Sequence, residues 1–268
     1  MIALIAGTGA LPGLLLSRLR ASGEAVLVCA LEDAPPDLPR PPDLTFCVET
    51  FGGLLGRLAE RGAGRVCLAG GIRRPETLDR AALDAATAAL APRLAAAMAR
   101  GDDGALRIVL SLIEEAGLDV VAPQQIVPDL LPPPGCAAGA VTDALRAEAE
   151  AGARQVARMG AADSGQACVI HGGRLLAEEG PEGTDAMLAA LAAAPPERAK
   201  GGILFKAPKP GQERRADLPV IGPGTAAAAA RAGLGAIVIE AGGVMVLDRA
   251  RVIALCEAEG LTLWVRAA

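Results

Sequence analysis

Ile2-Ala-Leu-Ile-Ala-Gly-Thr-Gly-Ala-Leu-Pro12, continuing through Gly13-Leu-Leu-Leu-Ser-Arg-Leu-Arg-Ala-Ser-Gly23 to Ala25-Val-Leu-Val-Cys-Ala30, is the stretch on which the fold turns. Ile2–Ala6 is a short apolar run that stops at Gly7-Thr8-Gly9. A helical pattern from about Pro12 to Ser22 follows, with Leu14, Leu15 and Leu19 on one face, and Gly23 ends it. Ala25–Ala30 is a second apolar run. The rhythm repeats downstream. Thr45–Val48 reads as a strand, Leu54–Arg61 as a helix, and Arg65–Ala69 as a strand that runs into Gly70-Gly71. Strand, helix and strand in alternation predict a parallel sheet covered by helices on its faces.

Farther along, Leu78–Ala99 is Ala-rich and reads as helix. Gly101-Asp102-Asp103-Gly104 breaks it, and Asp102 or Asp103 is placed to cap a helix over Ala105–Ala116. Gly117–Val121 reads as the last strand of this half. Pro128, Pro132, Pro133, Pro134 and Gly135 then mark a linker, about 128 to 138. The second half mixes elements less regularly. Helices are expected at Val141–Met159, Thr184–Ala193, Thr225–Ala232 and Arg249–Gly260. Strands are expected at Gln166–Ile170, Arg174–Glu178, Gly202–Lys206, Ala236–Ile239, Gly243–Val246 and Leu261–Val265. The expected fold class is α/β with two domains. A Rossmann-like parallel sheet occupies 1–130, and a mixed α/β domain that carries the catalysis occupies 136–268.

At 268 residues the chain has material for about two domains of roughly 150 residues each. Apolar residues make up 52% but aromatics only 1%, so the cores must be built from Leu, Val, Ile and Ala. The single His, His171, excludes a His-rich zinc or copper centre, and it reads as a turn residue beside Gly172-Gly173. A net charge of −5 argues against a general nucleic-acid binder. The mean hydropathy is +0.38, yet every apolar run is broken well short of a membrane span. The amino terminus reads as a strand and not as a signal peptide. The six Cys are dispersed and read as small buried hydrophobes in a reducing cytosol.

Three groups of residues bear on chemistry. The Gly7-Thr8-Gly9 turn lies between a strand and a helix, the setting of a phosphate-binding turn, and Gly70-Gly71 ends a strand of the same sheet. A nicotinamide dinucleotide and a tight turn with no ligand are both compatible with it. All three Lys of the chain, Lys200, Lys206 and Lys209, fall within ten residues of one another. With Arg214 and Arg215, and stiffened by Pro208, Pro210 and Pro219, they form either an anion clamp or a solvated charged loop. The carboxylates are Asp185 at a helix start, Asp217 at the end of the basic loop, Glu240 after an aliphatic strand, and Asp248, which is placed as a helix cap. Carboxylates beside basic groups, without His, suit a hard cation such as Mg²⁺ or Mn²⁺.

Eight short motifs occur in order along nearly the whole chain. They are Ile5-Ala-Gly-Thr-Gly-Ala-Leu-Pro12, Gly70-Gly-Ile-Arg-Arg-Pro75, Gly101-Asp-Asp103, Val127-Pro-Asp-Leu-Leu131, Glu182-Gly-Thr-Asp-Ala-Met187, Lys206-Ala-Pro-Lys-Pro-Gly-Gln212, and Asp217-Leu-Pro-Val-Ile-Gly222 with Glu240-Ala-Gly242. The set resembles the UDP-2,3-diacylglucosamine diphosphatases of the LpxI type. The resemblance implies a Mg²⁺-dependent hydrolase of lipid A biosynthesis, with Mn²⁺ as an alternative ion. It would split UDP-2,3-diacylglucosamine into UMP and 2,3-diacylglucosamine 1-phosphate. On that basis Asp217, Lys206 and Gln212 are expected to serve catalysis, and Asp217 and Glu240 to hold the metal. Gly9, Ala10, Leu11, Gly70, Gly71, Gly183, Thr184, Asp185, Lys206 and Lys209 are expected to bind substrate. The partner is a glycolipid nucleotide and not a nucleic acid. The expected location is cytoplasmic, with transient contact at the inner-membrane surface, and a homodimer is compatible. The alternatives are an NAD(P)-dependent oxidoreductase and a non-catalytic nucleotide-sugar-binding protein.

Overall fold

The computed structural model describes residues 1–72, 77–98, 102–195 and 199–267. Arg73, Arg74, Pro75 and Gly101 of the motifs above lie outside them. The chain divides into two compact units, Met1–Pro128 with Glu213–Asp217, and Asp129–Gln212 with Leu218–Ala268.

The first unit runs β1 (Ile2–Ala6), α1 (Leu11–Ala21), β2 (Val26–Leu31), β3 (Leu44–Phe46), α2 (Phe51–Glu60), β4 (Arg65–Ala69), α3 (Ala85–Met98), α4 (Asp102–Glu115), β5 (Asp119–Val120) and α5 (Pro123–Ile126). Its sheet has the order β3-β2-β1-β4-β5, and every pairing in it is parallel. β1 is buried throughout because helices cover both of its faces. Ala3 and Ile5 with Leu27, Cys29 and Leu31 face one core, shared with Leu54 and Leu58 of α2 and Leu110 and Ile113 of α4. α1 buries Leu11, Leu15, Leu16 and Leu19. The strand order reverses between β1 and β4, the switch point at whose carboxyl edge ligands bind in sheets of this kind.

Two expectations need correction here. The Ala-rich helix begins at Ala85 and not at Leu78. Asp84 stops it, because its Oδ1 accepts the Thr87 N–H at 2.6 Å and its Oδ2 the Gly53 N–H at 3.1 Å. The presumed linker also carries structure. A short 3₁₀ turn at Pro128–Leu130 leads into β6 (Gly135–Ala138). β6 pairs antiparallel with β13 (Thr262–Arg266) at the edge of the second sheet, where a flanking run of prolines is tolerated.

The second unit continues with α6 (Asp143–Ala161), β7 (Ala167–His171), β8 (Arg174–Glu178), α7 (Gly183–Ala192), β9 (Ile203–Lys206), β10 (Val220–Ile221), α8 (Pro223–Arg231), β11 (Ala236–Glu240), β12 (Met245–Val246), α9 (Arg249–Ala258) and β13. Six strands lie in the order β6-β13-β11-β9-β7-β8. β13, β11 and β9 run parallel, whereas β6 and β7 are antiparallel to their neighbours and β7–β8 is a hairpin. β10 and β12 form a separate parallel pair. Side chains alternate across this sheet. Cys168, Ile170, Ile203, Phe205 and Val238 pack under α6 with Ala149 and Val156. Val169, Leu204, Ile237 and Ile239 pack with Leu188 of α7, Ala229 of α8 and Val252 of α9. The alternation carries Lys206, two residues after Leu204, onto the α7 face. Asp248 precedes α9 as expected but adopts a left-handed conformation, φ 48°, and its side chain makes no capping bond.

The thiols differ more than the sequence suggests. Burial pushes Cys29, Cys67 and Cys168 up to about 12 and Cys256 to about 11. Cys136 is exposed, because its strand β6 lies at a sheet edge, and Cys47 is half-buried. A thiol titration of the folded protein at pH 8 should therefore modify Cys136 first. Cys136→Ser should abolish the fast phase, and the four buried thiols should react only on unfolding. A fast phase that survives Cys136→Ser would contradict this burial pattern.

Candidate active site

At the switch point the two glycine turns grip each other. The Thr8 N–H donates to Gly71 O at 2.8 Å, the Gly71 N–H returns the bond to Thr8 O at 3.0 Å, and the Gly7 N–H donates to Ala69 O at 2.8 Å. The Thr8 hydroxyl also donates to Gly71 O at 3.1 Å. This contact explains the glycines. A Cβ on Gly7 would lie 2.3 Å from Gly71 O, and one on Gly70, whose φ is +89°, would lie 2.5 Å from Thr8 O. The N–H groups of Gly7, Thr8 and Gly71 are thus committed between the turns. Gly9 and Ala10 are exposed beyond them, at the start of α1, which has no side-chain cap. Of the expected N-terminal substrate contacts, Gly9 and Ala10 lie on the surface at this edge, while Leu11 is buried.

In the second unit, Lys206 closes β9 and is only 5% exposed. Its Nζ donates to the Thr184 hydroxyl at 2.6 Å and lies 3.7 Å from Glu179 Oε1. The Thr184 hydroxyl also bonds to Glu179, whose Oε2 accepts the Gln166 N–H at 2.8 Å. Glu179 and Thr184 are buried as well. A lysine there is tolerable because a carboxylate and a hydroxyl meet it. Asp185, next to Thr184, is exposed in the first turn of α7. Gly183, at φ +83°, opens that helix.

The loop after β9 is held from within. Lys209 Nζ bonds to Asp163 Oδ1 at 2.6 Å, while the Lys209 N–H donates to Gln212 Oε1 at 2.8 Å. The Gln212 N–H donates to Lys209 O at 3.1 Å, and Gln212 Nε2 reaches Gln166 Oε1 at 3.2 Å. Gln212 is buried, so its amide shapes the loop. Glu240 ends β11, beside the strand of Lys206, with Ile239 in register with Lys206. The two residues therefore stand at the carboxyl ends of neighbouring parallel strands.

Asp217 lies in the five-residue segment that packs with the first unit. There the Glu213 N–H donates to Asp103 Oδ1 at 2.7 Å, and the Asp217 N–H donates to Glu213 O at 3.1 Å. Arg215 embraces the Glu213 carboxylate at 2.9 and 3.0 Å, and this hydrogen bonding holds the Glu213 carboxyl below its usual range. Gln124 Nε2 donates to Arg214 O at 2.9 Å. The basic residues Arg214 and Arg215 thus belong with Asp217 in the first unit, whereas Lys206 and Lys209 belong to the second.

The structure brings Lys206 to Thr184 and Lys209 to Gln212. It adds two residues that sequence reasoning did not select. Glu179 carried no signal, since only the fold shows it buried beside Lys206. Asp103 was visible within Gly101-Asp-Asp103 but was read as a helix cap. In the structure α4 starts at Asp102, and the Asp103 carboxylate instead takes Glu213 N–H and Arg107 Nε, the latter at 2.8 Å.

Among the described residues, no three His, Cys, Asp or Glu side chains gather closely enough to hold a metal by themselves. A Mg²⁺ ion needs only one or two carboxylates when phosphate oxygens and water fill its other positions. Asp217, in the first unit, and Glu240, in the second, are each a donor of that type. The first unit also has a cavity of about 830 Å³, bordered by Leu78, Leu83, Pro92, Ala95 and Met98 with Arg80. No helix among the described residues is long and apolar enough to cross a membrane.

Residues 1–130 match the LpxI N-terminal domain, and residues 133–264 match the LpxI C-terminal domain. The chain is 41% identical to the UDP-2,3-diacylglucosamine pyrophosphatase LpxI of Caulobacter vibrioides, over 97% of this chain and 95% of that protein. Two α/β units in this order, both domain matches and an identity that runs nearly end to end lead to one conclusion: the chain belongs to the LpxI family.

Proposed function

We propose that the protein hydrolyses the pyrophosphate of UDP-2,3-diacylglucosamine, giving UMP and 2,3-diacylglucosamine 1-phosphate. The observation that carries this reading is the end-to-end similarity to a protein bearing that activity in its name. A pyrophosphate repels an incoming nucleophile, so the site must supply positive charge and orient the water. Asp217 would hold Mg²⁺, or Mn²⁺ in its place; the bound ion would supply charge neutralisation at the phosphate oxygens. Lys206 Nζ, which donates to Thr184 and lies 3.7 Å from Glu179, would supply positive charge at the end of β9. Lys209 supplies a second ammonium on a loop whose shape Gln212 maintains. Gly9 and Ala10 offer exposed backbone at the switch point, where a ligand phosphate or sugar is expected. The apolar cavity along α3 matches the chemistry of an acyl chain.

The test is the release of UMP from UDP-2,3-diacylglucosamine, with and without EDTA. Turnover that EDTA abolishes and Mg²⁺ restores is the expected result. Substrate binding without turnover would point to a nucleotide-sugar-binding protein instead. Turnover that is indifferent to EDTA would remove the metal from the reading.

A further inference from the structure

We infer that Asp103 is a positioning residue for this reaction: its carboxylate fixes the Glu213–Asp217 segment and, through it, Asp217. The inference rests on the reading of Asp217 given above. Asp103 has one oxygen on each of two partners. Oδ1 accepts the Glu213 N–H at 2.7 Å, and Oδ2 accepts Arg107 Nε at 2.8 Å. From Glu213 the next link is short, since its carbonyl accepts the Asp217 N–H at 3.1 Å. Two hydrogen bonds therefore join the first turn of α4 to the backbone of Asp217.

The surroundings reinforce that link. Arg107, already bound to Asp103, also lies 3.8 Å from Glu213 Oε2. Glu213 is 9% exposed, and its carboxylate is shared with Arg215, which extends to Glu114 farther along α4. Ala216 packs against the core of the first unit. The segment is thus tied by charge-assisted bonds to a helix more than a hundred residues earlier in the chain. α4 itself is anchored in the core by Leu110, Leu112 and Ile113. Loss of Asp103 should therefore displace Asp217 without unfolding the unit. A misplacement of about 1 Å can lower turnover by about 10²-fold.

The experiment compares Asp103→Ala, Asp103→Asn and Asp217→Ala in the full-length chain. It follows UMP release together with amide hydrogen exchange at residues 213–217. Asp103→Ala should lower kcat by about 10²-fold with KM changed by less than about threefold. Exchange at residues 213–217 should rise at least about tenfold while the amides of β1 and β4 stay protected. Asp103→Asn keeps an acceptor for the Glu213 N–H and should recover kcat to within about tenfold of the parent. The inference is overturned if Asp103→Ala keeps kcat within about twofold, or loses it with exchange at 213–217 unchanged. If Asp103→Ala loosens β1 and β4 as well, the role is general stability and the inference again fails. An active Asp217→Ala would instead overturn the reading of Asp217, and the exchange data would still report whether Asp103 secures the segment.

Discussion

Replacing Asp217 by Ala should lower the rate of UMP release by at least about 10³-fold, roughly 4 kcal/mol at about 1.4 kcal/mol per decade. The reasoning begins with the substrate. A diphosphate bridge gathers negative charge as it is attacked, and a carboxylate is useful there only as a holder of a cation or as a partner to water. Asp217 begins no helix and caps none, since Leu218-Pro219 follow it and β10 comes next. Its backbone is turned by the bond to Glu213 O. A variant whose circular dichroism spectrum matches the parent's would place the loss at the site and not in the fold. Asp217→Asn should be almost as inactive, because an amide binds a divalent cation poorly. Activity within tenfold of the parent in either variant would sink the assignment.

The second large effect concerns stability. Glu179→Ala should destabilise the second unit by about 3–5 kcal/mol, because it takes the carboxylate away from a buried ammonium. It also removes the acceptor of the Gln166 N–H and one partner of Thr184. For a chain of this size that amounts to a fall of about 10 °C in the melting temperature. The control is a double replacement, Glu179→Leu with Lys206→Met, which removes both charges together. It should regain most of the lost stability, as paired removal of buried charges commonly does. It should remain impaired in turnover, since the positive charge at the end of β9 is gone. A loss below about 1 kcal/mol in Glu179→Ala would mean that the pair is not isolated from solvent.

Much of the architecture is legible in the residues themselves, and the reason differs by element. Ile2–Ala6, Val26–Leu31 and Arg65–Ala69 announce themselves because strands covered on both faces must be apolar without interruption. Gly7 and Gly70 were visible as turns. Their purpose was not, since the contact of 2.8 Å between Thr8 N–H and Gly71 O joins residues more than sixty positions apart. The stretch after Pro134 read as linker because prolines dominate it, while the partner that makes Gly135–Ala138 a strand lies near the other end of the chain.

The candidate site divides in the same way. Lys206, Lys209 and Asp217 stand out by residue type and spacing within one basic stretch. That stretch nevertheless belongs to two units, changing allegiance after Gln212 and again after Asp217. No local pattern reports such a change, because it depends on Asp103 and Gln124, each far away in sequence. Glu179 was hidden for a similar reason. A carboxylate beside Glu178 looks like surface charge until β9 and α7 close around it.

The discontinuous first unit has a consequence during synthesis. Its strands and helices have left the ribosome once residue 128 has emerged, but its last five residues come only with 213–217. At the usual 5–20 residues per second, the nascent unit waits on the order of ten seconds for that closing piece. Until then Asp103 and Arg107 lack their contacts with Glu213, and Glu114 lacks Arg215. A gene cut between the two halves would deliver an amino-terminal product that is permanently short of its own final segment.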